Sequence, residues 1–342
     1  MAAPAAAARQ IPIVCPGHSR PLAEVSYCPE TPDGTFLISG CHAKTPMIRN
    51  GSTGDWIGTF VGHKGAVWGV ALDDTGLLAA TASADFSARL WDAVTGNQVH
   101  EFVHKHIVKT VHFAADRSKL ATAGHEGILR IFDTASPGSP PTEITVFPGG
   151  EETPKVSRVI SKARWGKDPN TVLTGSADGF VRVWDVRSGE KIRKVQVAGA
   201  VMDLEMSWDK KIATVAAGDT VHFFDTAEDF SELKRHTMPI NFRNEGGASL
   251  HPGGKRFIAG GSDLWVRVFD FDTGAELECL KASRGRAGGH HGPVRCLRYA
   301  PDGKTYATGS EDGTIRLWQS NAPAAATAAA AGTSGVDGTA AR

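Results

Sequence analysis

One internal repetition constrains this chain more than any other feature. Residues 62–92 open on Gly-His and close on Trp-Asp, and residues 289–318 return to the same layout. His63 and Asp85 stand 22 residues apart, as do His290 and Asp312. Between them lie runs of alternating apolar residues, each followed by a tight turn of Asp, Gly, Ser or Ala. Alternation marks strands with one face buried, and a long spacing held twice marks one supersecondary unit used repeatedly. With Trp91 as the reference position, equivalents fall at Arg49, Phe132, Trp184, Phe224, Phe269 and Trp318. The steps are 42, 41, 52, 40, 45 and 49 residues, so the chain holds seven units. The two long steps coincide with insertions at 148–159 and 282–288.

The Gly-His and Trp-Asp pair at this period resembles the signature of WD40 β-propeller blades. The fold class predicted is therefore all-β, a seven-bladed WD40 β-propeller, and the resemblance covers residues 9–319. The last unit is one strand short, because the sequence after Gln319 is Ala/Gly-rich without a strand pattern. Residues 11–14 are expected to complete that blade, since closing the ring removes two exposed sheet edges. The expected organisation is a disordered Ala-rich start at 1–8, the propeller at 9–319, and a disordered tail at 320–342.

Composition narrows the functional classes. Lys plus Arg and Asp plus Glu both total 37, giving a net charge of zero. The chain as a whole is thus no polycation for nucleic acid or membrane surfaces, although a local basic patch remains open. Its five cysteines are odd in number and never form C-x-x-C, which argues against a disulfide framework or zinc site. No stretch has the length of a membrane span, and the first residues lack the pattern of a secretory signal. A cytoplasmic and nuclear location is expected.

Thirteen histidines invite a catalytic or metal reading. In WD40 blades, however, a His entering the first strand meets a Ser/Thr, an Asp and a Trp in a hydrogen-bonded chain. Carried over by position, the complete sets are His63–Thr81–Asp85–Trp91 and His290–Thr308–Asp312–Trp318. A weaker set is His104–Thr122–Glu126–Phe132, which lacks the indole. A catalytic constellation should occur once, whereas this one recurs at fixed positions. His104 with His106, and His290 with His291, are the only candidate ligand pairs, and one member of each belongs to a blade network. No phosphate-cradling G-x-x-x-x-G-K-[ST] occurs. No enzyme activity, cofactor or metal is expected.

What remains is surface. Lys64 and Lys105 each follow a motif His, while Lys281, Arg284 and Arg286 lie in an insertion near His291. Trp68 is out of phase with the core positions Val67 and Val70 and is expected to be exposed. With His106 these residues form a candidate partner surface, a basic rim with an aromatic, suited to an acidic peptide or RNA.

Several stretches carry a narrower resemblance: GDWIGTFVGHKGAVWGVAL (54–72), HKHIVKTVHF (104–113), SLHPGGKRFIAGGSD (249–263) and PDGKTYATGSEDGTIRLWQ (301–319). Together with the start at 9–21 they are similar to the serine-threonine kinase receptor-associated protein (UNR-interacting protein) family. That resemblance implies a non-catalytic adaptor in ribonucleoprotein assembly and mRNA processing. Its partners would be the survival-of-motor-neuron complex, which loads Sm proteins onto spliceosomal RNAs, and a UNR-type RNA-binding protein. In animals it also implies a receptor-signalling role. It further implies a monomer within a larger complex, with RNA contact indirect or weak and no membrane contact. The Ala-rich tail departs from the mixed charged and apolar tail of the animal members. Two alternatives stand beside this reading: the i subunit of the third eukaryotic translation initiation factor, which shares a similar second blade, and a propeller that reads modified peptides.

Overall fold

The computed structural model describes residues 10–147, 157–227, 229–240, 242, 246–280 and 289–320. All its regular elements are strands, arranged as seven four-stranded antiparallel sheets. The protein is a seven-bladed β-propeller. The tails at 1–9 and 321–342, most of the insertion at 148–159 and all of that at 282–288 lie outside the described residues, and so do the expectations placed on them.

Each blade is a meander of four strands, the first nearest the central axis. Those inner strands are Leu22–Tyr27, Val67–Leu72, Val108–Phe113, Ile160–Trp165, Val201–Met206, Gly247–Leu250 and Val294–Tyr299. Second strands are covered by neighbouring blades on both faces. Leu78–Ser83 (LAATAS) is accordingly built from small residues and buried almost throughout. Outer strands meet water, as in Lys191–Gln196 (KIRKVQ), where nearly every residue is exposed. The core therefore lies between blades. Ile38 and Ile48 of blade one meet Val67, Val70 and Trp91 of blade two in one buried cluster. The seven reference positions all occupy one register, shown by Leu37↔Arg49, Ala79↔Trp91, Leu120↔Phe132 and Tyr306↔Trp318.

Ring closure takes the expected form with shifted bounds. The closing strand is Ile13–Cys15 rather than 11–14, and it pairs Ile13↔Leu317, Val14↔Arg316 and Cys15↔Ile315. Pro12 has no N–H to extend the ladder, and Ile11 is 80% exposed. Arg49, which replaces the usual Trp in blade one, secures this seam. Its guanidinium donates to the Gly54 carbonyl at 3.2 Å and to the carbonyl of Pro16, just past the closing strand. Gly54 has a left-handed backbone (φ +78°), and a Cβ there would stand 2.4 Å from Cys15 Sγ. Only glycine lets the blade-one turn pass this close to the closing strand.

Removing residues 1–15 should therefore expose the edge of Ile315–Gln319 and uncover the cluster around Cys15. We expect a melting point lower by about 5 °C or more, as a loss near 2 kcal/mol would produce in a large domain, together with aggregation. A truncated chain that stays monodisperse and melts like the full one would exclude this role for the closing strand.

Candidate functional site

The loops entering each inner strand and the turns between second and third strands lie at one end of the ring, here the histidine face. In blade two the polar chain is continuous. Trp91 Nε1 donates to Thr81 Oγ1 at 2.9 Å, and Thr81 Oγ1 lies 2.6 Å from His63 Nε2. His63 Nδ1 meets Asp85 Oδ2 at 2.8 Å. The indole can only donate and the carboxylate can only accept, so the chain runs one way: indole to hydroxyl, hydroxyl to Nε2, Nδ1–H to carboxylate. Blade seven repeats it, with 2.9 Å from Trp318 to Thr308, 2.8 Å from Thr308 to His290 and 3.1 Å from His290 to Asp312. Burial would raise the Asp85 pKa. Hydrogen bonds from His63, Ser87 and the Lys64 backbone outweigh it and hold the carboxyl well below its usual range.

Blade three departs from the expected set. Thr122 Oγ1 lies 3.3 Å from His104 Nε2, but Glu126 stands 3.7 Å from His104 Nδ1. Arg130 takes the place between them, donating to His104 Nδ1 at 2.7 Å and to both Glu126 oxygens at 3.0 and 2.8 Å. With Nδ1 accepting, the Nε2–H must donate to Thr122. With Phe132 in place of an indole, that N–H has the Thr122 oxygen free of a second donor from the Trp position. Losing the Trp and inserting the Arg are thus two halves of one reversal. Burial first, and Arg130 second, push the His104 pKa down to about 4, so the ring is neutral at physiological pH.

Arg130 belongs to a series at one fixed blade position. Arg89, Arg182, Arg267 and Arg316 stand at the same place, two residues before the Trp or Phe. Arg182 pairs with Asp178 at 2.5 Å and Arg267 with Asp263 at 2.5 Å, while Arg316 lies 3.8 Å from Asp312. The signal was present as R-L-W, R-I-F, R-V-W, R-V-F and R-L-W.

These networks also place surface residues. The acid of each set accepts the backbone N–H of the residue after the His: Lys64 at 2.9 Å, Lys105 at 2.6 Å and His291 at 2.9 Å. Lys64, Lys105, His106 and His291 are exposed on the histidine face. His106 stacks on His125 at 5.1 Å and packs against Phe86 at 5.4 Å. Lys281, Arg284 and Arg286 lie outside the described residues. Trp68 is not exposed as expected but half-buried at the channel mouth. It is the extra residue of a β-bulge between Val67 and Gly69, which turns it toward the axis.

Within the channel, inner strands of four blades exchange charges. Glu24 accepts from Lys162 at 2.9 Å and Arg164 at 2.5 Å. Arg298 grips Asp203 through two bonds of 2.6 and 2.7 Å, and it lies 3.8 Å from Glu205. Burial would raise the Glu24 pKa, but Lys162, Arg164 and Arg298 together lower it. For Glu205 burial dominates and lifts the carboxyl to about 7. Three acids thus face three bases across the axis. Burial raises the pKa of Cys15, Cys28, Cys41 and Cys296, so their thiols are poorly suited to nucleophilic attack. Among the described residues no group of three or more His, Cys, Asp and Glu side chains is placed to hold a metal ion. No helix among them is long and apolar enough to cross a membrane.

Seven four-stranded blades and their recurring His–Thr–Asp–Trp chains define a WD40-repeat β-propeller. The WD domain, G-beta repeat family matches residues 54–92, 96–133, 143–185 and 283–319. Within this class, the chain belongs to the serine-threonine kinase receptor-associated protein family. It is 43% identical over 309 residues to the protein of that name from Dictyostelium discoideum, spanning 90% of this chain and 98% of the relative. The human protein of that name is 41% identical over 313 residues, spanning 92% of this chain and 83% of the relative. Eukaryotic translation initiation factor 3 subunit I from Culex quinquefasciatus is more distant, 28% identical over 327 residues, spanning 90% and 95%.

Two outcomes test this account. Asp85→Ala strips acceptors from His63, Lys64 and Ser87, and should cost about 1–3 kcal/mol at neutral pH. Because the Asp85 pKa is depressed by folding, its contribution is complete above the unfolded value of about 3.9 and is lost as pH falls below it. The gap in thermal midpoint between wild type and variant should therefore close on acidification. Equal midpoints at neutral pH would remove Asp85 from the network. Glu24→Ala leaves Lys162 and Arg164 buried without their carboxylate and should cost about 3–5 kcal/mol. A denaturant midpoint within error of wild type would show that the channel charges are solvated separately.

Proposed function

We propose that this chain is a non-catalytic scaffold in ribonucleoprotein assembly and mRNA processing, working in cytoplasm and nucleus. Its partners in this reading are components of a survival-of-motor-neuron type complex and a UNR-type RNA-binding protein. Contact with RNA is indirect or weak, and the chain acts as a monomer within the larger assembly. In animals the same family resemblance implies a receptor-signalling adaptor. The observation that carries the reading is similarity at 41–43% identity along the whole propeller to proteins named as receptor-associated. The residues proposed to meet partners are Lys64, Lys105, His106 and His291 on the histidine face, with Trp68 at its centre. Lys281, Arg284 and Arg286, which lie outside the described residues, belong to the same proposal. Five blades carry an acid–Arg or acid–His pair at their turns on this face, which leaves exposed lysines to set its charge.

The test is a tagged pull-down of the full chain from its native cells, with a ribosome-gradient control. Sm proteins and survival-of-motor-neuron components are expected, and Lys64→Glu with Lys105→Glu should cut their recovery at least tenfold without changing the melting point. Recovery of initiation factor subunits on small ribosomal particles would replace this reading with the subunit I reading. Saturable binding of one defined modified peptide, with neither set of proteins, would make the chain a peptide reader.

A further inference from the structure

Six inner strands carry a β-bulge at the same place, between their first and third residues. Each bulge turns one side chain into the channel mouth on the histidine face. The residues so delivered include Trp68, Lys109 and Arg295, and with Asp203 and Gly246 they line a cavity of about 100 Å³. That is more room than one water needs.

The polar groups of this mouth are unevenly served. Arg295 is paired with Glu311, and Asp203 is held by Arg298. Lys109 has no carboxylate partner among the described residues. Its ammonium sits 3.1 Å from the centre of the Trp68 ring. Trp68 Nε1 is buried without a hydrogen-bond partner, and so is Nε2 of His42, whose ring lies 4.4 Å from the Trp68 ring. Burial, then the charges of Lys162 and Arg295, push the Lys109 pKa down to about 7. Buried donors left open like this are uncommon in folded proteins and call for a partner.

From this geometry we infer that the channel mouth is a receptor for a carboxylate side chain of an acidic peptide, taken by Lys109 and the Trp68 N–H. Charged Lys109 and the indole N–H only donate, and the His42 ring can present Nε2–H as a third donor, so a ligand with acceptor oxygens and negative charge satisfies all three and favours the charged lysine. RNA fits less well. Single-stranded bases need free aromatic faces, whereas Trp68 already packs against Lys109 and His42, and His106 against Phe86 and His125. The cavity admits a side chain, and Lys64 and Lys105 on the rim face the acidic residues that flank it. This inference rests on reading the chain as a binding scaffold but not on its ribonucleoprotein partners. Purified protein tests it, so it can fail while the pull-down succeeds, and the reverse.

The experiment is fluorescence anisotropy with a dye-labelled (Glu-Gly)6 peptide at physiological salt, against its Gln counterpart, a phosphoserine counterpart and an oligouridylate of equal charge. Saturable binding of the Glu peptide and none of the Gln peptide is expected. Lys109→Met should weaken binding at least tenfold and Trp68→Phe at least threefold. Lys64→Met, the same charge change on the rim, should stay within threefold. The melting point of Lys109→Met should equal or exceed that of wild type, because an unpaired half-buried charge has been removed. Equal binding by wild type and Lys109→Met, or equal losses at Lys64 and Lys109, would overturn the site. Tighter Lys109-dependent binding of the phosphoserine peptide would reassign the anion as phosphate, and of the oligouridylate would reassign the mouth to nucleic acid.

Discussion

A ring of sheets hides its edges only if the last blade is completed, and here completion depends on three residues from the other end of the chain. Ile13–Cys15 supplies the fourth strand beside Ile315–Gln319. Everything else relies on it, because each blade is covered by two neighbours and none buries its second strand alone. The seam has its own fittings. Arg49 ties the exit of the closing strand to blade one, and Gly54 allows a contact that any side chain would obstruct. The irregular first blade is thus irregular because it receives the closure.

The hydrogen-bond chains join stability to surface. In blade two the direction of donation is fixed by a donor-only indole at one end and an acceptor-only carboxylate at the other, and that carboxylate also holds the backbone of Lys64. Blade three reaches a similar result with the polarity reversed and an arginine inserted, and Lys105 is still held by the acid. What the repeat preserves is the placement of the residue after the histidine. A buried polar chain of this kind is stabilising when every member is satisfied, and it also gives the exposed lysines a rigid base.

Much of this was legible in the sequence because the repeat speaks seven times. Blade number and register follow from spacing, ring closure from the last blade being one strand short, and the two complete networks from the WD40 resemblance, and even Phe224 and Phe269 in the degenerate blades hold the predicted register. Side-chain direction at the mouth was not legible. Strict alternation puts Trp68 on the exposed side, and a β-bulge breaks alternation at that residue. The direction of Lys109 and Arg295 is hidden for the same reason, since an extra residue in a strand leaves no mark in its composition. Arg130 differs: its R-x-F spacing is visible, but a blade motif of four residue types leaves no role for a fifth.

The two ends of the channel differ in a way that bears on function. Inside, Glu24, Asp203 and Glu205 balance Lys162, Arg164 and Arg298, and the pairs bind blades one, four, five and seven across the axis. At the mouth opposite the histidine face, Lys210 is set against Asp74, acid near base. At the histidine mouth the match fails: Lys109 leans on an aromatic ring, with Lys162 and Arg295 as its charged neighbours. A sequence shaped by stability alone would place an acid or an apolar residue there, since a cation among cations in a half-buried site weakens the fold. The imbalance sits at one point, on the face to which the networks also hold Lys64, Lys105 and His291. Charge left over where the rest of the channel is neutralised is what a binding site looks like before its ligand arrives.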